Sequence, residues 1–482
     1  MSEHVRMWIG GDWVDAEGGA TFEATSPSTG EVIGTVPEGT RADAERAIAA
    51  AQRAWPVWSR MSAFDRAAAM RRVAAAIDER RELLADTLTL DQGKPRKAEA
   101  LDEVEELIAY FEMAAADAIR MDGVLPPSVD ANKRVLLQRV SRGVVSLISP
   151  WNWPYTMPGE ILAPAIAYGN TVAWAPAPTT SLCAVRLAEC LDAADLPAGV
   201  VNMVTGPGPV VGDELAGNPG TQAVGFIGSI ATGLQVARRG AGKELLLEMG
   251  GNGPLVIMED GDVERAVEAT LAACFLNAGQ SCTAGERILV HEAVKDRYLE
   301  RLAAAVSERI RLGDPFDEAT TMGPVNNEPT AAKTERHVTE AVERGASVVT
   351  GGARAPQHGS ELFFEATVLD GVTNDMEIAR EETFGPVVPV TTIRSEREAI
   401  ELVNASEYGL LSAIFTADLA RGMRFAETVR TGWVNVNEGT NYWESHLPFG
   451  GRAGSKSGVG RVGGSYSMER LTELKTIVID LS

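Results

Sequence analysis

The chain is short of cysteine, histidine and positive charge. Four cysteines in 482 residues are too few for a disulfide framework. Cys183 and Cys190 fall on one apolar helical pattern and read as core residues. No CxxC pair occurs and the five histidines are scattered, so no metal site is expected. Lys and Arg number 44 against 67 Asp and Glu, a formal net charge of −23. A sequence-blind nucleic-acid binder needs a basic surface, so that class is disfavoured. No uncharged apolar run reaches transmembrane length. The opening MSEHVRMWIGGDW lacks a basic head followed by an apolar core, so no signal peptide is expected. These absences predict a cytoplasmic protein with no membrane or nucleic-acid partner. Internal repeats and low-complexity linkers are missing too.

What is present is an ordinary globular composition, 45% hydrophobic and 23% charged, in a length that predicts two or three domains. Helical spacing runs over 43–58 and, more strongly, over 65–90, with Gly93 and Pro95 as stop signals. The pattern changes over 119–142, where 134–139 suits a strand. From Gly143 strand and helix alternate: GVVSLIS, a helix over 158–167, NTVAWAP, a helix over 181–194, VVNMVTG, a short helix in VVGDELAG, AVGFIGS, and a helix from about Ala231. This order predicts an α/β fold with a parallel sheet that binds ligands at its carboxyl edge. A second α/β stretch covers about 254–439, with helices over 263–276, where Asp262 is a candidate N-cap, and 292–312. The terminal LTELKTIVID reads as a strand that must find a partner.

Five segments carry candidate chemistry. In FLNAGQSCTAGERI, Cys282 follows a helix and a glycine turn, which can expose a thiol and lower its pKa. Alone, a single cysteine is more often a small core residue. In ELLLEMGG, Glu248 interrupts an apolar run. Such a carboxyl has a raised pKa and suits a general base, unless it pairs with an arginine. In ISPWNWP, Asn152 is held between tryptophans and prolines at a strand end, either as an oxyanion donor or as a turn residue. In FIGSIATG, Gly228, Ser229 and Gly233 sit where a strand passes into a helix, a place for a pyrophosphate, though the spacing is not GxGxxG. In EETFGPVV, Glu382 and Phe384 can hold a ribose and stack near a nicotinamide, but alone the segment reads as an FGP turn.

The order PWNWP, GSxxxG, LEMGG, GQSC, EETFGP, LPFGG resembles the aldehyde dehydrogenase superfamily, from IGGDWV to ELKTIVI. The resemblance implies a Rossmann-like cofactor domain over 1–118 and 143–251, and a catalytic α/β domain over 252–465. It also implies an oligomerisation arm from 119–142 and 466–482 that pairs across subunits in a homodimer or homotetramer. It implies oxidation of an aldehyde with NAD, NADP being possible. Cys282 is the implied nucleophile, Glu248 the general base and Asn152 the oxyanion donor. Ile148, Ser149, Trp151, Gly228, Ser229, Gly233, Met249, Glu382 and Phe384 are implied at the cofactor. Trp153, Tyr155, Trp443 and Phe449 are implied along a substrate tunnel, whose aromatic walls suit an apolar aldehyde. Arg287 and Arg452 are candidate anion partners.

The chain departs from the family pattern in three places. Ala175 and Pro178 replace a lysine and a glutamate near the adenosine ribose, so nothing there attracts or repels a 2′-phosphate. Ile161 and Val462 replace a lysine and a glutamate that can relay a proton. Glu248 must therefore release its proton through water or another group such as Glu160. The segment between LPFGG and SGVGR is two residues longer than the common form. Two other readings stay open. A CoA-acylating dehydrogenase is opposed by the presence of Glu248. A non-catalytic relative is opposed by the survival of Cys282, Glu248 and Asn152 together.

Overall fold

The alternation that starts at Gly143 builds an eight-stranded sheet in the computed structural model, which describes residues 3–482. Its strands lie in the order Gly458–Val459, Glu244–Met249, Ala223–Gly228, Val144–Ile148, Thr171–Ala175, Val201–Met203, Met7–Ile9, Asp12–Val14. The five from Glu244–Met249 to Val201–Met203 are mutually parallel. From Val144–Ile148 the chain winds outward through Thr171–Ala175 and Val201–Met203. It then returns to the other side of Val144–Ile148 with Ala223–Gly228. The crevice at the carboxyl ends of those two neighbours is a topological switch point, where open α/β sheets take their ligands. Buried strand residues such as Val145, Leu147, Val172 and Trp174 explain the near-continuous apolar runs in the sequence.

A seven-stranded sheet follows the order Ser347–Thr350, Thr367–Asp370, Val387–Ile393, Arg287–His291, Pro254–Ile257, Leu411–Phe415, Trp433–Val436. It is parallel except at the Ser347–Thr350 edge. The helix Val263–Phe275 is capped by Asp262, whose carboxylate accepts from the Glu264 and Arg265 amides. The terminal strand Thr472–Asp480 pairs antiparallel with Lys133–Ser141 along its whole length. That edge is therefore satisfied within the chain, and the outer edge of Lys133–Ser141 is bridged at Leu137 by Val124.

Two sequence expectations change. The helical stretch expected over 65–90 is two helices, Ala63–Glu79 and Arg81–Gln92, broken at Arg80 (φ −110°, ψ 14°). Nothing in the local residues breaks a helix. The first packs on helix Leu101–Ala118 and the second on helix Ser181–Ala193, so tertiary packing overrides propensity. The segment Gly458–Val459, expected with the catalytic unit, instead hydrogen-bonds to Leu247 and Glu248 at the edge of the first sheet. Among the described residues, no helix is long and apolar enough to cross a membrane.

Candidate active site

Cys282 is aimed by an unusual turn. Helix Val263–Phe275 runs into Leu276–Gly279, where Asn277, Ala278 and Gly279 have φ of 52°, 52° and 74°. Two non-glycine residues in the left-handed region cost about 1–3 kcal/mol each and persist only when their surroundings hold them. Here the surroundings do so. The Asn277 amide donates to Glu99 at 3.0 Å, and its side-chain amide donates to the Asn152 carbonyl at 2.8 Å. Its side-chain oxygen accepts from Gln92 at 2.8 Å. Gln280 is fully buried, donates to the Asn277 carbonyl and accepts from the Asn326 amide at 2.7 Å. A β-carbon on Gly279 would stand 2.2 Å from the Gly385 carbonyl. The Gly-Gln pair before the cysteine is thus structural: it fixes where the thiol points.

Glu248 lies on the last turn of strand register before Gly250 and Gly251. A β-carbon on Gly251 would be 2.1 Å from the Cys282 carbonyl, and one on Gly450 would be 2.7 Å from the Glu248 carboxylate. Glycines at both places let three distant segments close on one point. Glu248 is buried, and neither carboxylate oxygen has a hydrogen-bond partner among the described residues. Burial and the neighbouring Glu160 push its carboxyl well above the usual range, opposed by Arg461. No arginine pairs directly with it, so the structural alternative for Glu248 falls away.

Asn152 is buried, and its side-chain amide donates to the Gln280 carbonyl at 3.0 Å. That bond uses one of its two N–H groups and turns the amide toward the cysteine turn. Asn152, Glu248 and Cys282 line one cavity of about 790 Å³. The expected low thiol pKa is not found. Burial, then Glu382, Glu248 and Glu160, raise the Cys282 thiol, against a lowering by its own backbone N–H. The turn does aim an N–H at sulfur, but three nearby acids and lost hydration outweigh it.

The same cavity is bordered by Trp151, Gly228, Ser229, Met249, Glu382 and Phe384. Ser229 caps helix Ile230–Arg239, accepting from the Thr232 amide, so a helix N-terminus opens on the switch point. Gly233 acts by packing: a β-carbon there would lie 2.1 Å from the Met249 sulfur. Glu382 accepts from the Gly251 amide at 2.8 Å. Burial and Glu286 raise its carboxyl to about 8. Phe384 is held at φ 60° because Glu286 accepts from both the Thr383 and Phe384 amides. Its ring meets Trp151 edge-on at 5.5 Å. Ile148 borders a second cavity of about 710 Å³ with Gly208, Gly212, Asp213 and Thr232. Ser149 turns inward, its hydroxyl accepting from the Trp174 indole at 2.8 Å. Ala175 ends its strand buried, and Pro178 is exposed.

A third cavity of about 500 Å³ leads to Cys282 past Trp153, Trp443 and Phe449. Tyr155 is not in it. That side chain is fully buried, its hydroxyl donating to the Leu84 carbonyl at 3.1 Å, because the helix start at Thr156 turns it into the core. Arg287 and Arg452 are also elsewhere. Arg287 is buried and donates to the Asn252 and Leu402 carbonyls, while Arg452 donates to Val429. The sequence reading missed Glu106, Met157 and Lys333, which line these cavities. Glu106 sits on an acidic amphipathic helix whose pattern does not tell which acid faces inward. Glu160 borders the catalytic cavity, the aromatic cavity and a narrow one of about 230 Å³ reaching Tyr110 and Asp117.

Residues 13–477 match the model of the aldehyde dehydrogenase family. The chain is 39% identical to a 3-sulfolactaldehyde dehydrogenase of Pseudomonas putida, over 98% of this chain and 96% of that one. It is 38% identical to a succinate-semialdehyde dehydrogenase [NADP(+)] of Escherichia coli K12, over 98% and 97%. A solved succinate-semialdehyde dehydrogenase from Burkholderia pseudomallei superposes with a TM-score of 0.96 at 38% identity, covering 99% of this chain and 98% of that one.

Proposed function

The chain belongs to the aldehyde dehydrogenase family of NAD(P)-dependent oxidoreductases, and we propose that it oxidises its aldehyde on Cys282 and hydrolyses the product with Glu248. The observation that carries this reading is the shared cavity: one thiol, one unpartnered buried carboxylate and one positioned amide border the same space. The Cys282 thiol gives its proton to water, and the thiolate sulfur adds to the aldehyde carbon. The resulting oxyanion is held by the free N–H of Asn152 and the Cys282 backbone N–H. Removing one such donor typically costs about 10²–10³ in rate. NAD or NADP, when bound, accepts the hydride. The acyl group is left as a thioester on Cys282, and Glu248 takes a proton from the water that cleaves it.

The residues present fit a dinucleotide. The cavities beside Trp151 and beside Ile148 flank the helix N-terminus at Ser229, and Gly250 leaves room for the Glu382 carboxylate, 2.6 Å from where a β-carbon would be. Glu382 and Phe384 would hold the nicotinamide end. Ile148 and the Gly208–Gly212 turn would hold the adenosine end. Asp213, beside that end, is already paired with Arg41 and Arg239. NAD or NADP would fit, since Ala175 and Pro178 put neither a lysine to attract a 2′-phosphate nor a carboxylate to repel one.

Ile161 and Val462 are both fully buried, so the common relay is closed. Glu160 is the titratable neighbour of Glu248 and leads to the narrow outer cavity, which supports it as the proton's next stop. The ribbon of Lys133–Ser141 and Thr472–Asp480 exposes Leu474, Val478 and Ile479, which supports a homodimer or homotetramer built through it. The relatives named for sulfolactaldehyde and succinate semialdehyde point to acid-bearing aldehydes, and the cavity chemistry below argues against carrying that class over. An aldehyde panel with NAD and NADP, run beside Cys282→Ala, tests the reading: reduced cofactor must form with the native protein and vanish in the variant.

A further inference from the structure

The cavity leading to Cys282 is lined by two carboxylates, Glu106 and Glu160, and by no arginine, lysine or histidine among the described residues. Three aromatic rings, Trp153, Trp443 and Phe449, stand among its remaining walls. Trp443 packs against Phe449 at 5.7 Å and against Tyr110 at 6.4 Å, and Trp153 closes another side. Glu160 is 3% exposed, and its Oε1 has no hydrogen-bond partner although it borders the cavity. An unpartnered buried carboxyl oxygen is costly unless something pairs with it. Glu106 receives only a long bond of 3.5 Å from the Tyr110 hydroxyl. Lys94 partly offsets the Glu106 charge but does not line the cavity. It is fully buried, paired with Glu103 at 2.5 Å, and lies over the Trp153 ring at 3.3 Å.

Resting on the aldehyde oxidation described above, we propose that the substrate is a short aldehyde carrying an organic cation, an ammonium held by Glu106 and Glu160 within the aromatic walls. Carboxylates attract the charge directly, and ring faces attract a desolvated ammonium through their electron-rich π clouds. An acid-bearing aldehyde of the same length meets like charge with nothing to neutralise it. In the protein alone, burial and Glu103 raise Glu106 to about 7, against Lys94, and burial and Glu106 raise Glu160 to about 8. A bound cation returns both to their ionised forms. Cation recognition is separable from the proton path, because Glu106 borders the aromatic cavity and not the one that holds Glu248.

The test compares 3-aminopropanal and trimethylammonioacetaldehyde with butanal and succinic semialdehyde at pH 7.5, in the full-length enzyme. Expected is a kcat/KM at least about tenfold higher for one or both cations than for butanal, with succinic semialdehyde lowest. The two cations separate a primary from a quaternary ammonium. Glu106→Gln is expected to lower the cation-to-butanal ratio of kcat/KM about tenfold, chiefly through KM. Butyltrimethylammonium is expected to inhibit the native enzyme competitively against butanal, and calorimetry reads its binding even without turnover. Preference for succinic semialdehyde, or cations no better than butanal with no inhibition by butyltrimethylammonium, overturns the proposal while leaving aldehyde oxidation standing. Failure to oxidise any aldehyde overturns the oxidation reading instead. In that event, absence of butyltrimethylammonium binding overturns this proposal as well.

Discussion

Gly251 and Cys282 are in backbone contact: a β-carbon on the glycine would stand 2.1 Å from the cysteine carbonyl oxygen. The strand that carries Glu248 and the turn that carries the thiol are therefore positioned against each other directly. Gly251→Ala must push that carbonyl away and shift Cys282. Misplacement of a reacting group by about 1 Å costs about 10²-fold in rate. We expect kcat to fall by that order while circular dichroism at room temperature stays native. Native kcat in the variant would show that the contact relaxes without moving the thiol.

The thiol is held protonated by its acidic surroundings. Burial and then Glu382 raise Cys282 in the protein without cofactor. Glu382, itself raised to about 8, acts on the sulfur only where it is ionised, so Glu382→Gln removes the largest of the charged causes and leaves more thiolate at pH 9. Iodoacetamide labelling of Cys282 at that pH, followed by mass spectrometry, should run several-fold faster in the variant. The other three cysteines are buried and serve as slow internal references. Unchanged labelling would mean that Glu382 does not control the sulfur.

Glu248 acts as a base only when ionised, and its raised carboxyl places the acid limb of kcat well above the ordinary carboxylate range. Glu160 is the largest charged cause of that rise. Glu160→Gln should move the midpoint of the kcat–pH limb to lower pH with a neutral aldehyde. A midpoint that stays or rises would separate the two carboxylates.

Stability follows the same groups. Glu160 rises from 4.5 to about 8 on folding, so between those values the folded chain binds more protons than the unfolded one. Stability from this group is fully present below about pH 4.5 and is lost as pH rises through about 8. Asp91 and Glu99, each raised to about 7 by burial, act in the same direction. Thermal scans of the native protein should show Tm falling by a few degrees from pH 5 to pH 8. Glu160→Gln should lessen that fall. A rising Tm over this range contradicts the assignment.

The adenosine end offers a separate test. Pro178 is exposed beside the end of strand Thr171–Ala175. Pro178→Glu places a carboxylate where a 2′-phosphate would lie and should lower kcat/KM for NADP relative to NAD about tenfold, or about 1.4 kcal/mol. An unchanged ratio would put the nucleotide's 2′ group elsewhere.

The sheets and most helices were legible because their apolar periods are long and their stop signals local. The motif order also pointed to three segments that the fold brings to one cavity, although in isolation each had a plain structural reading. Three things were not legible. The break at Arg80 depends on which neighbours each half packs against. The inward turn of Tyr155 depends on where its helix begins, set by Glu103 accepting from the Tyr155 and Thr156 amides. The raised thiol depends on acids drawn from Glu160, Glu248 and Glu382, which only the fold brings together.

The central claim is that the aldehyde is oxidised while bound to Cys282 and released by Glu248. The direct measurement is a single-turnover experiment on Glu248→Gln with an aldehyde that the native protein oxidises, NAD and an acid quench, followed by peptide mass spectrometry. The account predicts one reduced cofactor per active site in a rapid burst, little further turnover, and the acyl mass on the Cys282 peptide alone. Steady turnover at the native rate with no acyl group on Cys282 would contradict it.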